Sequence, residues 1–334
     1  MNAKKIIKIS VILFLFIGVF FIFKLYNKQE LSIPNKETIH NIDIGYSRLR
    51  ISLPVFVAQE EGFFEKQGIN ANLKMYDTAQ PLMQALIAGN IDIGGYTALP
   101  ITYNGMLRSG KKLYFITAMI EDEDHRISYL LRYKEENKDS KITTVNDLKG
   151  KRIGILPTIA YKAWITEILK KNGLDPEKDV VIQQIAPAQQ GQALKNGAVD
   201  ALFTNDPAAT SIIELGIGEL LSNEVESSKY INDPFVFGSF NVSKKWANEN
   251  KDIYKKLVLA LDEAVNFVNN NPQRAKEHMR NYLSDTFKEH IKKYPDALYW
   301  NTTESDEILF ENIAEKYLSI GIIPESLSLK GLVE

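Results

Sequence analysis

No cysteine occurs anywhere in the 334 residues. That absence excludes a disulfide framework, a thiolate metal site, a cysteine nucleophile and a lipid anchor carried on an N-terminal cysteine. Histidine is nearly as scarce. His40, His125, His278 and His290 are scattered, with no His-Glu-x-x-His and no paired spacing on one helix, so no zinc site is expected. The chain also lacks a Walker loop, a Gly-x-Ser-x-Gly elbow and a Gly-x-Gly-x-x-Gly fingerprint. Nucleotide hydrolysis, acyl transfer from an elbow serine and dinucleotide chemistry lose their usual support, and neither a cofactor nor a catalytic residue is expected. The acidic run from Glu121 to His125 could offer oxygen ligands to a metal, but charged loops after strands are ordinarily solvated, and it is read that way.

Charge of one sign is also missing. The net charge is −2, and because residues 1–28 hold five lysines and no acid, the remainder is mildly acidic. Nucleic acid is therefore not an expected partner. Hydrophobic and charged fractions of 45% and 25% are those of a globular chain, long enough for two lobes.

Long hydrophobic runs are confined to the start. Lys4, Lys5 and Lys8 precede an apolar stretch from Ile9 to Phe23, and Lys24 closes it. Residues 1–30 read as an export element. No small-x-small pair follows the stretch, and Ile6 to Tyr26 meets the roughly 20 residues needed to span a bilayer. An uncleaved signal anchor is expected in preference to a cleaved signal peptide. Either puts the rest of the chain outside the cytoplasm, and the anchor would tether it to the membrane.

What the chain does contain is a repeated unit. Ala85 to Pro100 reads ALIAGNIDIGGYTALP, and Ala193 to Ala208 reads ALKNGAVDALFTNDPA. Aligned without a gap, Ala85 and Leu86 meet Ala193 and Leu194, Gly89 meets Gly197, and Asp92 meets Asp200. Each copy describes a helix stopped by glycine, a short apolar strand, and a polar turn opening the next helix. In open α/β sheets ligands sit beyond the carboxyl ends of strands, where helix N-termini present free N–H groups. Two such turns suggest two facing half-sites.

The periodicities predict strands over His40–Tyr46, Ile69–Met75, Leu113–Ile120, Ser128–Tyr133, Arg152–Leu156, Val180–Ile185, Val199–Phe203 and Pro234–Val242. Helices are expected over Val55–Gln67, Gln80–Ala88, Leu99–Leu107, Ile159–Asn172 and Gln189–Asn196, with a further helix from Pro207 capped by Asp206. The C-terminal part reads as helical over Asp252–Asn269, Pro272–Tyr282 and Ser305–Ser319. The ligand is expected between Tyr96, Thr97 and Ala98 on one side and Thr158, Ile159 and Ala160 on the other, where backbone N–H groups would meet its acceptors. Arg48 or Arg50 would supply charge, Gln189 a polar contact and Tyr46 a stacking wall, with Thr117 a further candidate. Asp206 could meet a ligand donor or simply cap its helix.

Several stretches in order carry a resemblance. They are IGY at Ile44–Tyr46, AQEEGFFEKQGI at Ala58–Ile69, ALIAGNIDIG at Ala85–Gly94, DLKGKRIGIL at Asp147–Leu156, the stretch Ile185–Pro207, and ALDEAVNFVNNNPQRAKEHM at Ala260–Met279. Together they are similar to the substrate-binding proteins of ABC importers for nitrate, aliphatic sulfonates, taurine and thiamine-pyrimidine precursors. The resemblance implies an α/β fold, a two-lobe periplasmic-binding-protein type II clamshell. Each lobe would be a mostly parallel sheet flanked by helices, with a C-terminal helical part on the first. The boundaries it suggests are residues 39–127 and 237–334 for the first lobe and 128–236 for the second, with hinge strands at both ends. It implies a monomer, a small polar or anionic ligand or heterocycle, and an ABC permease as partner. Where sulfonate binders tend to read Lys-Gly-Ser and Trp-Asp-Pro, this chain has Leu156-Pro157-Thr158 and Asn205-Asp206-Pro207. The loss of the indole weakens the sulfonate expectation and adds Asn205 to the candidate contacts. The contrasting expectations are a thiamine-pyrimidine or menaquinone-precursor enzyme on the same fold and a ligand-sensing module.

Overall fold

The computed structural model describes residues 39–134 and 142–334, so residues 1–38, the expected export element among them, and residues 135–141 lie outside the described residues. The chain opens with β1 (His40–Ser47), whose Ile42 and Ile44 point into the core. A 3-10 turn at Arg50–Ser52 leads into α1 (Leu53–Glu60). The single helix expected over Val55–Gln67 is broken, because Gly62 takes a left-handed backbone (φ 74°) and a separate α2 (Phe63–Lys66) follows. Then come β2 (Ile69–Tyr76), α3 (Ala79–Ala88), β3 (Tyr96–Ala98), α4 (Leu99–Ser109) and β4 (Leu113–Glu121).

After β4 the chain crosses into a second sheet. Its elements are β5 (Ser128–Tyr133), β6 (Arg152–Ile155), α5 (Ile159–Lys171), β7 (Val181–Gln184), α6 (Pro187–Lys195), β8 (Ala201–Asn205), α7 (Ala208–Glu214), β9 (Gly218–Leu220) and α8 (Glu226–Tyr230). Before β6, Thr144 and Asp147 close a capping box over the 3-10 turn Val145–Leu148. The chain returns as β10 (Phe235–Ser243). It then runs through α9 (Lys244–Glu249), α10 (Lys251–Asn270), α11 (Pro272–His278), α12 (Asp285–Lys288), β11 (Leu298–Trp300) and α13 (Glu307–Ser319).

The first lobe holds the parallel pair β1–β2 and a sheet in the order β11-β4-β10-β3. The second lobe is built on the sheet β7-β6-β8-β5-β9. Parallel pairing links β6 to β7 and β8, while β5 lies antiparallel to β8 and β9, and β10 antiparallel to β3 and β4. β11 is antiparallel to β4 as well, so every pairing in the four-stranded first-lobe sheet is antiparallel, and the expected mostly parallel sheet holds only in the second lobe and in the β1–β2 pair. β5 and β10 run against their neighbours because a strand that arrives from the other lobe enters its sheet in the opposite sense.

The sequence repeat has a structural counterpart. Gly89 and Gly197 both end their helices in the left-handed region, at φ 79° and 67°. Asn90 N–H donates to Ala85 O and Ala198 N–H to Ala193 O, each at 2.9 Å, the same helix-closing bond in both copies. Asp92 then accepts the Asp43 N–H of β1 at 3.3 Å, and Asp200 accepts the Arg152 N–H of β6 at 2.8 Å. The copies diverge afterwards. In the second, β8 pairs along β6, whereas in the first the apolar stretch makes one parallel bridge, Ile44 to Ile93, and the strand forms later, at β3.

Packing joins the lobes. Trp164 of α5 is fully buried against Tyr161, Phe235 and Phe237, and its indole N–H donates to the Tyr317 hydroxyl of α13 at 3.2 Å. Trp246 and Trp300 are half-buried in the first lobe.

Candidate functional site

The 3-10 turn after β1 exists because Leu49 and Ile51 anchor into the core, which carries the Arg50 side chain inward with them, 2% exposed. A guanidinium that deep must satisfy its N–H groups. It donates to Pro295 O at 2.8 Å and to Arg126 O, and its Nη1 lies 3.5 Å from Asp206 Oδ2. Arg50 therefore ties its own turn to the loop before β11, to the crossover, and to the second lobe. Burial works against its charge, but Asp206, helped by Tyr129, Tyr299 and Glu121, holds its pKa above the ordinary value.

Asp206 sits at the end of β8, 1% exposed. Its Oδ1 accepts Thr210 N–H at 3.1 Å and Thr210 Oγ1–H at 2.6 Å, and its Oδ2 accepts the Tyr129 hydroxyl at 2.9 Å. The helix it caps begins at Ala208, with Pro207 as the flanking residue. Around this pair lie Tyr161, Tyr294 and Tyr299, whose phenol pKa values are raised by burial first and by neighbouring groups second. The Tyr299 hydroxyl donates to Arg50 O at 2.7 Å.

Glu121 ends β4 at the crossover and is fully buried. Its carboxyl accepts Ile127 N–H at 2.8 Å, Ser128 N–H and the Ser128 hydroxyl at 2.7 Å. Burial pushes its pKa up to about 7 from an ordinary 4.5, against the pull of the Ser128 and Ile127 hydrogen bonds and of Arg126.

Five buried polar atoms near this junction lack a hydrogen-bond partner among the described residues: Arg50 Nε, Arg126 Nη1, the Tyr161 hydroxyl, Asn205 Oδ1 and the Ser211 hydroxyl. Buried polar groups are rarely orphaned, and when they cluster between two lobes a bound molecule is the natural partner.

The other sequence candidates fall in several places. Thr97 is buried, with its hydroxyl shared between Thr102 at 2.6 Å and Asn241 at 2.8 Å, and Ala98 flanks the start of α4. The Tyr96 hydroxyl meets Thr117 Oγ1 at 2.5 Å inside the first-lobe core. Thr158 caps α5 by accepting Tyr161 N–H at 3.3 Å, while Ile159 is half-buried and Ala160 fully buried at that helix start. Tyr46 stands edge-on to Phe56 and Tyr282, and Arg48 and Gln189 lie on the surface. The buried glutamine is the neighbour Gln190, which receives the Thr204 hydroxyl at 2.5 Å. In the acidic run Asp122 folds back on Asp124 N–H and His125, and no metal-holding group of side chains occurs among the described residues. Sequence reasoning missed Glu121, Tyr129, Tyr161, Tyr294, Tyr299 and Ser211. Only Tyr161 carried a signal, three residues after the Thr158 cap.

The profile of the NMT1-like family matches residues 35–281. The chain belongs to that family. Among the relatives of this NMT1-like protein, the nitrate/nitrite binding protein NrtA of Nostoc sp. is 24% identical over 273 residues, covering 78% of this chain and 60% of that protein. The chain thus spans about three-fifths of that relative's length. The alkanesulfonate-binding protein SsuA of Xanthomonas axonopodis pv. citri superposes with a TM-score of 0.68 at 18% identity, over 88% of this chain and 98% of that one. The desulfurization enzyme DszB superposes with a TM-score of 0.64 at 14% identity, over 88% and 96%. The fold is that of the periplasmic binding proteins, as the resemblance implied, and it carries binding proteins and an enzyme alike.

Proposed function

We propose that this NMT1-like protein is an extracytoplasmic solute-binding protein of an ABC importer, closing two lobes on a small polar ligand and handing it to a permease. The observation that supports this reading most is the meeting of Arg50, from the first lobe, with Asp206, Tyr161 and Ser211, from the second, around atoms without protein partners. Residues 39–127 and 237–334 form one jaw and 128–236 the other, hinged at the two crossovers. No described helix is long and apolar enough to cross a membrane. In this reading residues 1–30 hold the protein at the membrane as an uncleaved anchor, which keeps it near its permease at a raised effective concentration.

A thermal-shift screen of polar solutes tests the binding reading. A true ligand at about a hundred times its dissociation constant stabilises by about 2.7 kcal/mol and must be recovered chemically unchanged. Turnover of the stabilising compound would replace the binding reading with a catalytic one. Cell fractionation with sequencing of the mature N-terminus tests the tether: a released protein beginning near Lys28 would end it.

A further inference from the structure

The relatives of this chain are named for anions, yet the cations buried between its lobes are already matched. Arg50 has Asp206 at 3.5 Å, with side-chain exposures of 2% and 0%. Arg126, the other cation at the junction, has Glu226 at 3.9 Å, with exposures of 13% and 2%, and donates to Asn223 O at 2.7 Å. Glu121 faces Arg126 and Arg50 and already accepts three donors, but burial keeps it largely protonated up to about pH 7, so the matching charge rests with Asp206 and Glu226. No cation at this junction is left without a carboxylate. An anion entering such a place would lose its hydration and find no uncompensated positive charge, a cost that hydrogen bonds from neutral groups offset only in part. The atoms that do lack partners are the hydroxyls of Tyr161 and Ser211, Asn205 Oδ1, the Arg50 Nε–H and Arg126 Nη1, the last two on guanidinium groups whose charge already faces a carboxylate. These are matched by carbonyl, amide or hydroxyl groups.

Resting on the reading of this junction as the binding site, we propose that the ligand is an uncharged molecule bearing carbonyl, amide or hydroxyl groups. Asp206 and, second to it, Glu226 set that preference by cancelling Arg50 and Arg126. Anion binding is therefore withheld by two carboxylates and becomes available when one of them is neutralised.

The test uses the full chain in detergent, with sodium nitrate and sodium ethanesulfonate as probes and sodium chloride at equal ionic strength as the reference. The wild type is expected to show no rise in thermal midpoint over chloride. Asp206→Asn should gain a rise of a few degrees with at least one probe. Glu226→Gln, which leaves the α7 cap intact, is read the same way should Asp206→Asn fold poorly. A wild-type response to either anion would keep the junction as a binding site and overturn the charge assignment. Silence from wild type and both variants alike would overturn the assignment too, because the carboxylates would then not be what excludes the anions.

Discussion

Arg50 is the residue on which the junction depends, and its loss has a readable cost. Removing one partner of a buried ion pair strands the other, at about 3–5 kcal/mol. Arg50→Ala is expected to lose stability in that range by urea denaturation, with Asp206 and the Pro295 and Arg126 carbonyls all left short of a donor. An effect below about 1 kcal/mol would show that the pair is hydrated in solution. Glu121 behaves in the opposite sense to most carboxylates. The folded protein keeps its proton up to about pH 7, whereas the unfolded chain releases it near 4.5, so the folded state binds more protons between those values. Stability should therefore fall by roughly 3 kcal/mol as pH rises from 4.5 to 7 and then level off. Glu121→Gln should flatten that slope relative to wild type. At this scale the sequence was least informative. Arg50 and Arg48 are alternatives in one loop by composition, and only the core anchoring of Leu49 and Ile51 distinguishes the buried one from the exposed one.

The elements were far more legible, because hydrophobic period and glycine stops act locally. Strands β1, β2, β4 and β5 and the helices α3 and α5 lie within about two residues of their expected bounds, the usual uncertainty of such ends. The missed strands share a cause. β3, β9 and β11 are three residues each, too short to show an alternation, and are strands only because another strand lies beside them. β3 is held especially closely. A Cβ on Gly238 would stand 2.3 Å from Thr97 O, so the β10–β3 pairing requires a bare Cα there. Gly238→Ala is expected to cost more than about 2 kcal/mol by urea midpoint, through strain on the pairing. Thr158→Ala, removing the cap of α5, should cost about 1 kcal/mol.

For the whole molecule, the repeat foretold two related halves, and the constant offset between its copies carries Thr97 onto Asn205 and Ala98 onto Asp206. Sequence did not place the junction, since Arg50, Glu121, Tyr161, Asp206 and Tyr294 come from segments far apart in the chain and meet only after two crossovers. Trp164 lies across that same division, on α5 of one lobe with its indole bonded to Tyr317 of the other. In the proposed clamshell its light emission is expected to follow how far the jaws stand apart. Where they close, the indole is dry and emits at short wavelength; where they part, water reaches it and the emission moves to the red. Trp246 and Trp300 stay within one lobe, so replacing both with phenylalanine would leave a single tryptophan, excited selectively to the red of tyrosine absorption, that follows lobe motion without any added dye. A ligand that closes the lobes should shift this emission to the blue along a saturation curve matching its thermal stabilisation. An emission maximum that never moves while a ligand stabilises the protein would mean that the lobes do not swing, and that solute must enter by another route.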